Sequence, residues 1–229
     1  MGFCDEQRQI HAELWHRVTN HRLIDQLVDN TIPRPVLARY LAQDHRFLDA
    51  FVVLLASIVA RANCLADRIP GCQLLASFTG RDNTYFERSL DALGDEAVIA
   101  MDAPDGPATT GFCALMRETA HSSDLASMLA VMVVAEWSYQ DWGERVLPLL
   151  DEKDTDDVPF WCREWVELHS GPYFGSVVTY LRKLLDDEAT RLSATSDGDA
   201  ALERAAAAFA KALQLELDFF EQAYDSGSS

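Results

Sequence analysis

Three acidic residues stand where helical periodicity calls for apolar ones. Glu136 and Tyr139 lie three positions apart inside the apolar run Leu125 to Leu150, a spacing that puts both on one face of a helix. Asp44 interrupts the stripe formed by Leu37, Tyr40, Leu41, Phe47, Leu48 and Phe51, and Glu216 interrupts Phe209, Leu213, Phe219 and Phe220. An unpaired carboxylate in such surroundings is costly, so each acid must be paired, hydrogen-bonded or held protonated. Each is therefore either a structural knot or a tuned acid/base group. Aromatic residues accompany all three: Phe47 and Phe51, Tyr139 and Trp142, Phe219 and Phe220. If the three faces converge, they enclose an aromatic-lined pocket for a flat, nitrogen-rich small molecule. If they do not, the acids belong to an ordinary helical core.

Other constellations compete. Glu13 with His16, and Glu118 with His121, are both Glu-x-x-His pairs; with Glu136 and Glu216 they would compose a di-iron bundle. His121, however, stands at a helix end beside Ser122 and Ser123, where a solvated histidine is common. A proximal haem ligand at His16 or His21 has nothing else in the chain to support it. Cys113 lies on an apolar face without a neighbouring base, the pattern of an inert thiol. Ser138 lacks the turn of a nucleophile elbow. His169, just before Gly171 and Pro172, either lines a pocket mouth or caps a helix C-terminus.

The elements that must position these groups are helical throughout. Ile10, Leu14, Trp15 and Val18 predict a helix from Asp5 to about Val18, with a second over Leu23 to Val28, before Asp29 to Pro35 breaks the chain. A long helix is expected from Val36 to about Ala62. Pro70 and Gly71 start another segment, broken near Gly80, and Asn83 to Leu93 is amphipathic. Asp102 to Pro107 reads as a loop. Thr109 and Thr110 cap a helix carrying Phe112, Leu115 and Met116, and Ser122, Ser123 and Asp124 cap the central helix. After the charged loop Asp151 to Asp157, Pro159 begins a helix with Trp161 and Trp165, which His169 to Pro172 ends. Helices from about Tyr173 to Leu192 and from Ala200 to Tyr224 flank the polar turn Ser193 to Asp199. No period-two strand, glycine-rich phosphate loop or internal repeat is visible. The fold class is all-α, a bundle of roughly eight or more helices.

With 229 residues and no Pro/Gly/Ser-rich linker, the chain reads as one domain over 1–229, with 226–229 as a flexible tail. A net charge of −18 argues against nucleic-acid and anionic-membrane partners. The only lysines are Lys153, Lys183 and Lys211; so acidic a surface suits either a high-salt interior or an ordinary acidic protein. Five cysteines without a CxxC pair fit reduced thiols. The first residues show no secretory signal, Glu6 disfavours myristoylation at Gly2, and no apolar run spans a bilayer, so the expectation is a soluble cytoplasmic protein.

Tyr40-Leu41-Ala42-Gln43-Asp44-His45-Arg46-Phe47 resembles the Tyr-Leu-x-Gln-Asp-x-x-Phe/Tyr segment of the TenA family, the thiaminase II-like proteins of thiamin metabolism. Phe209, Leu213, Leu215, Glu216, Phe219, Phe220 and Ala223 are similar to that family's last helix, and helix order and loop placement agree along essentially the whole chain. The resemblance implies the haem-oxygenase-like all-α fold, usually without haem, in a homotetramer or homodimer. The cysteine-bearing branch has a Pro-Cys pair where this chain has Val134-Ala135. Ala135, Glu136, Tyr139 and Trp142 resemble instead the cysteine-lacking, glutamate-bearing branch, implicated in salvage of thiamin-pyrimidine breakdown products. Phe112 stands where many relatives have a tyrosine, and His169 near where the cysteine branch has another.

Carried over by position, the resemblance implies a hydrolase that cleaves the exocyclic C–N bond of aminomethyl- or N-formyl-aminomethyl-aminopyrimidine to give hydroxymethylpyrimidine. Asp44 would hold the amino group and a protonated ring nitrogen, and Phe47 and Phe112 would sandwich the ring. Glu216 would be the acid/base group, Glu136 would orient or activate water, and Tyr139 would polarise the reacting centre. Trp142, His169 and Phe220 complete the substrate-binding set, with no metal or organic cofactor required. A non-catalytic pyrimidine-binding or regulatory protein, and a di-iron oxidase, are the alternatives.

Overall fold

The computed structural model describes residues 1–121, 124–153 and 158–225; the side chains of 81–83 are outside the description. Among the described residues there are twelve α-helices and no strand: α1 (Phe3–Ile10), α2 (Ala12–Thr19), α3 (Arg22–Val28), α4 (Arg34–Arg61), α5 (Leu65–Ser77), α6 (Asn83–Leu93), α7 (Asp95–Asp102), α8 (Pro107–His121), α9 (Leu125–Asp151), α10 (Phe160–Leu168), α11 (Gly171–Ser193) and α12 (Gly198–Gln222). A π-helical turn, Phe78–Asp82, joins α5 to α6. No helix among the described residues is long and apolar enough to cross a membrane.

The bundle is built around α9. Every residue from Ala126 to Tyr139 is buried, so this stretch has no solvent face and must be surrounded by other helices. Those helices are chiefly α12 and α11, with α4, α10, α2, α3 and α8 completing the sleeve, while α4 packs its outer side on α8, α7, α5 and α6. The helix starts at Asp124, whose carboxylate accepts from the Ser127 amide and, at 2.8 Å, from the Ser127 hydroxyl. One contact fixes how closely the α10–α11 corner approaches. A Cβ on Gly143 would lie 2.3 Å from the His169 carbonyl oxygen, so only glycine lets that backbone seat against α9. The corner itself turns at Gly171, with φ of 77°.

Several boundaries differ from those the sequence predicts. The first helix is two, because His11 leaves helical geometry (φ −104°, ψ 25°) and hands the chain from α1 to α2. Pro70 does not start a helix; it is the sixth residue of α5, where the helix goes without one hydrogen bond, to the Ala66 carbonyl. Thr109 does not cap α8, which begins at Pro107, a residue preset for a first turn. The Thr109 hydroxyl is buried and accepts from Gln222 Nε2 at 2.7 Å instead. Helix α7 was not expected at all. Its apolar residues Val98 and Ile99 point to solvent, so it carries no stripe for periodicity to detect. Three predicted features fall outside the described residues: the tail 226–229, the contribution of Ser122 and Ser123 to the α9 cap, and positions 154–157 of the acidic loop.

Candidate active site

Helices α4, α9 and α12 each deliver one acid to a single cavity. Asp44, Glu136 and Glu216 are 7%, 6% and 2% exposed, and all three line it. The rest of the wall is almost wholly aromatic or aliphatic, with Phe47, Phe51, Phe86, Phe112 and Phe219 prominent. About 830 Å³ is free of protein atoms, open solvent at the mouth included. The mouth is marked by the partly exposed Leu48, Ser77, Phe78 and Leu168, and by Tyr173, which is 54% exposed.

Burial dominates the electrostatics. Loss of water pushes the Asp44 carboxyl up to about 8, against which a hydrogen bond from Tyr40 acts. Glu216 lies well above the usual carboxylate range, first because it is buried and then because Asp44 and Glu136 are close enough to repel its charge. The proton on Glu216 therefore depends on the charge of its two acidic neighbours.

Beneath Asp44 runs a polar chain. The Tyr40 and Tyr139 hydroxyls are 2.9 Å apart, and Trp165 Nε1–H donates to the Tyr40 oxygen at 3.2 Å. When Asp44 is ionised, the Tyr40 hydroxyl donates a hydrogen bond towards it, so Tyr139 is the donor to Tyr40. Both phenols lie well above their ordinary pKa through burial and stay protonated. His169 is half-buried and caged by rings: Tyr139, Trp165 and Phe174 have centroids 4.8, 4.2 and 5.2 Å from its own. Burial lowers its pKa to about 4, so the imidazole is neutral at physiological pH.

A sequence model of the TENA/THI-4/PQQC family matches residues 8–226. The chain belongs to that family. A protein named aminopyrimidine aminohydrolase, from Halalkalibacterium halodurans, is 24% identical over 226 residues, spanning 98% of this chain and 96% of its own. Among solved structures, a TenA homologue from Pyrococcus furiosus superposes with a TM-score of 0.80 at 18% identity, over 97% of this chain and 100% of the other. A Shewanella denitrificans domain with a haem-oxygenase-like fold superposes at 0.68 with 14% identity, over 96% and 91%. The fold is thus the haem-oxygenase-like all-α bundle in a single domain.

Within this TenA-type fold, the residues singled out from the sequence separate into two groups. Asp44, Phe47, Phe112, Glu136, Tyr139, His169 and Glu216 all line the cavity. Trp142 and Phe220 do not: both are buried behind it, with ring centroids 5.3 Å and 5.9 Å from Tyr139. In this arrangement both rings back Tyr139. Phe47 and Phe112 are neighbours on the cavity wall. Their rings meet edge to face at 5.0 Å, which leaves no slot between them.

The metal constellation disperses. Glu13, His16, Glu118 and His121 are all exposed, and no group of three or more potential ligands gathers among the described residues. His21 is used as the α3 cap, its Nδ1 accepting from the Leu23 amide at 3.2 Å. Sequence reasoning missed Tyr40 and Trp165. Tyr40 precedes Asp44 by one helical turn, and that phenol–acid spacing was the available signal. Trp165 reaches the site only through the packing of α10, which no local pattern reveals.

Proposed function

We propose that this protein hydrolyses the bond between the exocyclic methylene carbon and its nitrogen in aminomethyl- and N-formyl-aminomethyl-aminopyrimidines. The observation that carries this reading is the convergence of three buried carboxyls from α4, α9 and α12 on one aromatic cavity. The Halalkalibacterium relative's name supports the same substrate class.

Asp44, with its raised pKa and its Oδ2 without a protein partner among the described residues, binds the aminopyrimidine edge. It shares one proton with a ring nitrogen and accepts a hydrogen bond from the ring amino group. Glu216 holds the proton that leaves with the nitrogen. Glu136, as carboxylate, takes a proton from water. The water oxygen then bonds to the methylene carbon as the C–N pair departs to nitrogen. Aminomethylpyrimidine and water thus give hydroxymethylpyrimidine and ammonia; the N-formyl compound gives formamide in place of ammonia. Tyr139, its own proton committed to Tyr40 when Asp44 is ionised, fixes the wall of the site and offers its oxygen as an acceptor. Assembly as a homodimer or homotetramer is part of the same proposal, and light scattering measures it directly.

The test is a parallel incubation with N-formyl-aminomethylpyrimidine, aminomethylpyrimidine and thiamin, with products read by mass. Hydroxymethylpyrimidine from the first two and not from thiamin is the expected result. Intact compounds in all three, with one of them retained by the protein, would replace hydrolysis by binding alone.

A further inference from the structure

The three acids leave one polar group of the cavity unexplained. His169 Nδ1 lies 2.8 Å from the Trp165 carbonyl oxygen, which can only accept, so Nδ1 must carry the ring proton. The aromatic cage of Tyr139, Trp165 and Phe174 holds that ring in place. The remaining nitrogen, Nε2, is then a bare acceptor with no hydrogen-bond partner among the described residues, on a side chain that lines the cavity. Other polar groups on the wall are less suited to read a ligand. The Trp165 N–H is engaged by Tyr40, and Ser77 and Tyr173 stand at the mouth.

We propose that His169 is a specificity-determining residue whose Nε2 accepts a hydrogen bond from an N–H on the leaving nitrogen of the substrate. The geometry is consistent with the reaction proposed above, on which this inference rests. Asp44, Tyr139 and His169 line the same cavity, and the Tyr139 and His169 rings lie 4.8 Å apart between centroids, so a substrate whose pyrimidine edge is held by Asp44 can present its exocyclic arm to His169. A neutral acceptor fixed in one tautomer rewards a primary amine or secondary amide. It leaves an analogue whose nitrogen carries no hydrogen facing a lone pair with nothing to fill it. Sites that hydrogen-bond a substrate N–H discriminate strongly against analogues lacking it, because the site's own polar atom is stranded.

The experiment is a two-by-two cycle. Wild type and His169→Phe are each assayed on N-formyl-aminomethylpyrimidine and on its N-methyl derivative, which keeps the formyl group and loses the N–H. Wild type is expected to favour the N–H compound by roughly tenfold or more in kcat/KM. In His169→Phe, which keeps a ring in the cage, that preference falls to about threefold or less, and the loss lies on the N–H compound alone. His169→Gln, which can return an acceptor, restores part of the preference. An equal preference in wild type and His169→Phe overturns the proposal. So does a ring nitrogen NMR spectrum of the unmodified protein showing Nε2 protonated at neutral pH, a reading independent of whether the variants fold. If wild type hydrolyses neither compound, the reaction proposed above fails, and the same cycle read as dissociation constants still decides the role of His169.

Discussion

Tyr40 and Tyr139, ninety-nine positions apart, place their hydroxyls 2.9 Å from one another directly beside Asp44. Tyr40 thereby accepts from Trp165 and, when Asp44 is ionised, accepts from Tyr139 while favouring the Asp44 carboxylate. Tyr40→Phe strands the Trp165 N–H and removes the group that favours the Asp44 carboxylate. A loss of about 1–3 kcal/mol in denaturant stability is expected. Affinity for the aminopyrimidine should weaken as well, and calorimetry on folded variant checks that second effect.

Asp44 also predicts a pH dependence. Its folded pKa of about 8 lies above that of an unfolded aspartate, so the folded state binds the extra proton. The associated stability is fully present below the unfolded value and is lost as pH rises through about 8. Between pH 5 and about 8.5 the wild type should therefore lose stability relative to Asp44→Asn. Melting temperatures of the pair across that interval measure it; parallel curves would contradict the shift.

Removing either glutamate separates chemistry from folding. Glu216→Gln and Glu136→Gln should each lower turnover by about 10²- to 10⁴-fold, the usual worth of a positioned acid or base. Glu216→Gln should at the same time be no less stable at pH 8, since a neutral amide escapes the repulsion from Asp44 and Glu136. Steady-state assay with a thermal melt reads both effects on one sample, and full turnover in both variants would remove the acid/base roles.

Gly143 is a second point of leverage on the site. In Gly143→Ala the new methyl would meet the His169 carbonyl at 2.3 Å and force the α10–α11 corner away from α9. A destabilisation of about 1–3 kcal/mol is expected. Because His169 moves with that corner, activity should fall beyond what stability explains, which kcat/KM at a temperature well below the melt would show.

The thiols should divide by burial. Cys64 and Cys72 are exposed, whereas Cys4, Cys113 and Cys162 are buried. Burial raises the pKa of all three, to about 12 for Cys162, and suppresses the reactive thiolate. A colorimetric thiol reagent should titrate two cysteines in the native protein and five after denaturation.

The helical class and the three anomalous acids were legible in the sequence because both are local. A carboxylate on an apolar stripe violates a period that a few turns of helix are enough to display, as Asp44 does between Tyr40 and Phe47. The boundaries that failed, at His11, Pro70 and Thr109, are also local, yet tertiary contacts outweighed the modest preferences of single residues there. Thr109 gave up capping because Gln222, at the far end of the chain, offered it a buried hydrogen bond.

By itself the sequence determined an all-α chain and which side chains could not lie comfortably in its core. Only the tertiary structure decided that Asp44, Glu136 and Glu216 face one cavity, that Trp142 and Phe220 stand behind it, and that Phe47 and Phe112 close on each other. The reason is physical. Periodicity tells which face of a helix is buried but not which other face it meets, and the packing of α4, α9 and α12 settles that through contacts a hundred residues apart. The proton affinities follow the same division: an acid's type is written in the chain, while the loss of water and the neighbouring charges that raise it exist only once the helices have closed around it.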